Sequence, residues 1–107
     1  MASDPEGFCE LYRDYLSDAE ESLKHLRVAC ENGRGDDVRA KAHYLKSSSL
    51  VLGITAVAEL CKELEDAALL SNVSAAHVKV ERLSELLRDV RVELEKRLGP
   101  RVIPAAA

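Results

Sequence analysis

The amino-acid sequence predicts an all-α fold, an antiparallel up-down-up-down four-helix bundle. Three observations lead there. Apolar residues recur at steps of three and four in four separate stretches, the spacing of helices with one buried face. Glycine (5) and proline (3) are scarce among the 107 residues, which leaves little turn chemistry for a many-stranded sheet. The gaps between the periodic stretches are short, and short connections place successive helices side by side in opposite directions.

The first stretch runs from about Phe8 to Cys30, with Phe8, Tyr12, Tyr15, Ala19, Leu23, Leu26 and Cys30 as its inward stripe. It ends at Glu31-Asn32-Gly33-Arg34-Gly35, where two glycines permit the chain reversal. Asp36 is the expected N-cap of the second helix, whose inward residues are Val38, Ala42, Leu45, Ser49 and Leu52, with Gly53 closing it. Thr55 is the expected cap of the third helix, which is predicted to bury Val57, Leu60, Cys61, Leu64 and Ala68. After the turn Ser71-Asn72-Val73-Ser74, with Ser74 as cap, the fourth helix carries Val78, Leu83, Leu86, Leu87, Val90, Leu94 and Leu98 and stops at Gly99-Pro100. Residues 1–107 thus form one domain, with the bundle over about 8–98 and a flexible tail over 99–107.

Composition narrows the function classes. Hydrophobic residues make up 47% and charged residues 32%, enough for a core under a wet surface. Fifteen basic against nineteen acidic side chains give a net charge of −4 and a pI near 5.4, the wrong balance for duplex binding. Four aromatics, none of them Trp, are a poor basis for base-stacking modules. No nucleic-acid partner is expected. The chain has no apolar run of membrane-spanning length and no signal-peptide pattern at Met-Ala-Ser-Asp-Pro-Glu-Gly, so a soluble, cytoplasmic protein without membrane association is expected. The initiating Met and the tapering tail fit a free-standing chain. Cys9, Cys30 and Cys61 are odd in number, widely spaced and without a CxxC pair; they read as small buried apolar residues rather than a zinc or disulfide framework. No Gly-rich phosphate loop occurs, and 107 residues are too few for a complete protein kinase.

The informative stretch is Ala42-His43-Tyr44-Leu45-Lys46-Ser47-Ser48-Ser49-Leu50-Val51-Leu52-Gly53. At roughly 100° per residue, His43 points away from the inward stripe and stands on a solvent face in mid-helix. Lys46 lies one turn along, and Ser47, Leu50 and Val51 project outward nearby. Spacing alone fits either a docking surface around a histidine or a solvated face that happens to carry one. A hairpin count adds to the pattern. His43 lies ten residues before Gly53 and Glu65 twelve after it, so antiparallel second and third helices bring both to about one height. A carboxylate there is expected to accept from Nδ1–H of His43, leaving the Nε2 lone pair facing solvent.

The string His43-x-x-Lys46-Ser47-Ser48 followed by Gly53 resembles the phosphorylation-site motif of histidine-containing phosphotransfer (HPt) domains. Their usual pattern is His-x-x-Lys-Gly-(Ser/Ala) with a further Gly ten residues after the His. The likeness extends over Phe8 to Leu98 in helix number and length. It implies that His43 is the phospho-accepting residue, that Lys46 neutralises phosphoryl charge, and that Glu65 orients the histidine, as in the carboxylate version found in chemotaxis kinases. Ser47 departs from the family glycine, and this either narrows the set of acceptable partners or adds a hydroxyl donor. The resemblance further implies receiver domains of response regulators, and a hybrid or sensor histidine kinase, as partners. The chain itself is expected to need no cofactor, with Mg²⁺ held by the partner receiver only, and to be a stoichiometric carrier rather than an enzyme.

Two other readings compete. One is a helical adaptor, including a degenerate HPt-like module, that binds without phosphoryl chemistry. The other, a metal-binding bundle, needs Glu-x-x-His pairs; Ser22, Ala40 and Ser74 stand three before the histidines, so that motif is absent and no metal site is expected. His25 and His77 read as structural or solvated.

Overall fold

The computed structural model describes the backbone of residues 5–105 and the side chains from residue 7 on. Met1–Asp4 and the last two alanines, which belong to the expected single domain, lie outside the described residues. The described chain is all-helical: α1 (Pro5–Glu31), α2 (Gly35–Val51), α3 (Thr55–Leu69), α4 (Val73–Leu98) and a short 3₁₀ turn, Pro100–Val102. Each helix packs against its neighbours in sequence, and α1 also packs against α4, so the four enclose one core. Cross-helix pairs couple rising with falling residue numbers: Tyr15 meets Ser49 and Asp18 meets Tyr44, while Glu20 meets Arg91 and Arg27 meets Glu81.

The core follows most of the expected stripes. Leu16, Leu26, Leu45, Val57, Leu64, Val80 and Leu83 are almost fully buried, as are Ala42 and Cys61. All three cysteines are buried and unpaired. Two expected core residues are outside. Phe8 is 51% and Val78 61% exposed. At the start of α1 the inward line is set by the end of α4, and Cys9 faces it, its thiol directed at the Leu98 carbonyl at 3.5 Å. Along α4 the buried series is Ala76, Val80, Leu83 and Leu87; Val78, two residues from Ala76 and from Val80, falls on the opposite side. Tyr12, Leu52, Ala68, Leu86, Val90, Leu94 and Leu98 are only partly buried at the margin of the core.

The caps differ from the expected ones, for local reasons. Gly33 has φ +67°, and the chain enters α2 at Arg34, whose carbonyl accepts from Val38 N at 3.0 Å. Asp36 is therefore inside the first turn with Asp37, where carboxylates favour the positive helix end but cap nothing. Thr55 is likewise inside α3, and Ile54 is the boundary residue without a side-chain cap. Ile54 packs on the core, so apolar burial rather than capping fixes this entry. Asn72, not Ser74, caps α4, its side chain accepting from Ala75 N at 3.0 Å.

The segment after Gly99, expected to fray, folds back. Val102 is fully buried and Ile103 partly, and Arg13 Nη1 donates to the Arg101 carbonyl at 3.0 Å. Gly99 at φ +90° makes the reversal possible. A hydrophobic residue just beyond the helix stop thereby completes the core between α1 and α4.

Candidate functional site

Helix α2 owes its placement to Val38, Ala42, Leu45 and Ser49, all buried. The three consecutive serines remain compatible with the helix because each hydroxyl bonds back to it. Ser47 Oγ donates to the His43 carbonyl (3.0 Å), Ser48 Oγ to that of Leu45 (3.1 Å) and Ser49 Oγ to the same acceptor (2.7 Å). Such bonds satisfy the hydroxyls without a distant partner. Ser49 additionally pairs with Tyr15 Oη across α1–α2 at 2.7 Å. With the Ser49 proton on Leu45, Tyr15 is the donor, and both buried hydroxyls are satisfied. Burial, offset by this hydrogen bond, leaves the Tyr15 phenol pushed up to about 12.

With that face pinned inward, the opposite face is fixed outward. The His43 side chain is 65% exposed. Leu50 is 56% and Val51 84% exposed, an apolar rim beyond Ser47, which is also exposed. Glu65 comes from α3, one position after the fully buried Leu64. Its Oε1 lies 3.4 Å from His43 Nδ1 and 2.9 Å from Lys46 Nζ. The tertiary structure thus brings together the three residues that the hairpin count and the motif single out.

The character of this cluster is set by partial burial. Lys46 and Glu65 side chains are each only 22% exposed. Glu65 Oε1 is buried and has no aligned hydrogen-bond donor: the Lys46 ammonium is close enough for charge attraction but not oriented for a hydrogen bond. The His43 contact is of ion-pair length once the ring is charged, and is not a hydrogen bond in the present geometry. A buried carboxylate oxygen with an unmet capacity to accept is costly to leave alone, and the nearest ring N–H position is Nδ1 of His43. Beneath it, one turn earlier on α3, burial and then the Glu65 charge push the Cys61 thiol up to about 12, with Lys46 opposing. Cys61 is therefore a protonated, inert thiol under the site.

Two neighbours were not singled out by sequence reasoning. An open depression beside the imidazole is lined by Asp36, Arg39, Ala40, His43 and Glu65. Arg39 precedes His43 by four residues, a spacing that the sequence displays openly. Tyr44 Oη donates to Asp18 of α1 at 3.0 Å, and this bond together with the Asp18 charge raises the phenol's pKa; that partner is invisible without the fold. His25 lies elsewhere, 3.7 Å from Glu21 on its own helix. Among the described residues no group of three or more His, Cys, Asp or Glu side chains is placed to hold a metal ion, and no helix is long and apolar enough to cross a membrane.

The site can present a solvent-facing imidazole nitrogen, back it with a carboxylate on the opposite nitrogen, and surround it with positive charge and apolar contact area. A family model described as the Hpt domain matches residues 10–93, which covers α2 and α3 and most of α1 and α4 and includes His43, Lys46 and Glu65. No curated protein and no solved structure matches the chain.

Proposed function

Because this chain belongs to the Hpt domain family, we propose that it is a phosphocarrier of a cytoplasmic His–Asp relay, built as an antiparallel up-down-up-down bundle, with His43 as its phospho-accepting residue. The observation that carries this reading is the pairing of an exposed imidazole with the buried Glu65 oxygen 3.4 Å from Nδ1. A proton held on Nδ1 leaves the Nε2 lone pair directed at solvent.

In the transfer step, Nε2 of His43 attacks the phosphorus of an aspartyl phosphate on a receiver domain. The P–N bond forms as the P–O bond to the aspartate breaks, and the aspartate leaves as a carboxylate. The ring keeps its Nδ1 proton and becomes a phosphoimidazolium, whose N–H faces Glu65. Transfer to the aspartate of a second receiver is the same step reversed, and a hybrid or sensor histidine kinase is the other class of donor. Positioning and charge compensation dominate phosphoryl transfer, so few residues are needed here. Lys46 adds positive charge at the rim, and Leu50 and Val51 provide apolar docking surface beside Ser47. The acidic pocket and its Mg²⁺ belong to the receiver. The carrier is consumed and regenerated stoichiometrically and is not a kinase.

The test is incubation with a phosphorylated receiver domain. Label should appear on the chain as an acid-labile, base-stable phosphoryl group, and His43→Gln should reduce it to background. Because His43 is exposed, the variant should melt within about 2 °C of wild type. Label that persists in His43→Gln moves the site elsewhere. Receiver binding without any label identifies a helical adaptor instead.

A further inference from the structure

We infer that Arg39 is the cation that contacts the phosphoryl group on His43 most strongly, ahead of Lys46; this rests on the phosphocarrier reading above. Side chains on an α-helix lean toward its N-terminus and cover the residues three and four positions earlier. For His43 those are Ala40 and Arg39. The open depression beside the imidazole lies on this side: Arg39, Ala40 and Asp36 line it with His43 and Glu65, whereas Lys46 and Ser47 do not. Ala40 contributes only a methyl group, so a phosphoryl group has room there. Since Glu65 lies 3.4 Å from Nδ1, that nitrogen is the one turned to the carboxylate, and Nε2 is the one left for the phosphoryl group.

The charges divide in the same way. Lys46 lies 2.9 Å from Glu65 Oε1, so its charge is largely offset before any phosphoryl group arrives. Arg39 is exposed, and among the described residues it forms no ion pair: Glu65 is taken by His43 and Lys46, and Asp37 by Arg34 at 3.6 Å. Asp36, the other acid of the depression, likewise forms no ion pair among the described residues. A phosphoryl group brings between one and two negative charges near neutral pH. The uncompensated cation next to it gains most from that arrival, and a guanidinium offers a planar pair of donors matched to two phosphoryl oxygens.

The contact is testable without a receiver. In a chain carrying His25→Gln and His77→Gln, phosphoramidate leaves His43 as the one histidine to phosphorylate, and ³¹P NMR follows the ionisation of its phosphoryl group with pH. Arg39→Gln should raise the midpoint by roughly 0.3–0.5 pH units, the size expected for losing a nearby exposed cation. Arg39→Lys should restore part of the shift, and Lys46→Gln should move the midpoint less than Arg39→Gln. A midpoint unchanged by Arg39→Gln overturns the inference, as does a larger shift in Lys46→Gln. Failure of the phosphocarrier reading is seen separately, as absence of label from the phosphorylated receiver, and does not alter this titration.

Discussion

The α1–α4 pair and the α2–α3 hairpin both use ion pairs across helices, yet they use them differently. Between α1 and α4, Arg27 grips Glu81 with two donors at 3.3 Å each, and Arg91 donates to Glu20 at 3.1 Å. Each charge has one partner, an aligned donor and solvent around it. Between α2 and α3, one buried oxygen of Glu65 faces both His43 and Lys46 and has no aligned donor. The first arrangement is closed and structural. The second leaves an acceptor without an aligned donor until the His43 ring turns an Nδ1–H onto it, and that incompleteness links the pair to chemistry at the opposite nitrogen.

The contrast breaks most sharply at Glu65. Glu65→Ala should slow phosphoryl acceptance by His43 roughly tenfold, the lower end of what loss of an orienting partner costs, while Glu65→Gln should retain more of the rate. The ¹⁵N spectrum of His43 separates positioning from mere structure: wild type should favour the Nδ1–H tautomer and Glu65→Ala should lose that preference. Identical spectra would remove Glu65 from the site.

A smaller effect is expected at Ser47, whose hydroxyl is occupied by the His43 carbonyl and is thus a spacer rather than a donor. Ser47→Arg should obstruct receiver transfer several-fold, and Ser47→Gly should speed it while costing about 0.5 kcal/mol of helix stability. Equal transfer rates for all three proteins would place this position outside the docking surface.

Tyr15 probes what holds α2 in orientation. Tyr15→Phe deletes the Tyr15–Ser49 bond but leaves Ser49 bonded to Leu45, so the expected loss is about 1 kcal/mol by denaturant titration. The wild type should also show an alkaline limb. The folded-state phenol is raised from 10.0 to about 12, so the unfolded chain gives up its proton first. Tyr15's contribution is intact below about pH 10 and is lost as pH rises toward 12, and Tyr15→Phe should flatten this limb. The buried Cys61 thiol, also pushed up to about 12, acts in the same direction and should leave a residual slope.

The smallest effect belongs to the closed pair. Arg27→Gln should lower stability by less than about 1 kcal/mol, because both partners are well solvated, and should leave phosphoryl transfer unchanged. A change in transfer rate would show that the α1–α4 side communicates with the site.

Much of this organisation is legible in the residues themselves. Four apolar periodicities separated by Gly33, Gly53 and the 71–74 turn suffice for the helices, because burial of one face per helix leaves its signature at fixed spacing. The same arithmetic turns His43, Leu50 and Val51 outward and sets Glu65 near His43, since both counts run from one tight turn. The string around His43 carries the family resemblance. Helix starts are less legible: Asp36, Thr55 and Ser74 are good capping residues by type, but the turn before each helix and the burial of Ile54 shift the actual entry. Periodicity in α1 cannot reveal that Cys9 rather than Phe8 faces the end of α4, nor that Val102 returns to the core after Gly99, because both depend on what stands opposite. The same holds for the site's chemistry. Residue types supply a histidine, a lysine and a glutamate; only packing buries one oxygen of Glu65, occupies Lys46 with it and, among the described residues, leaves Arg39 without a counterion. Spacing along one chain fixes which side chains share a face, whereas burial and pairing are properties of the space between helices, and those exist only once the bundle has closed.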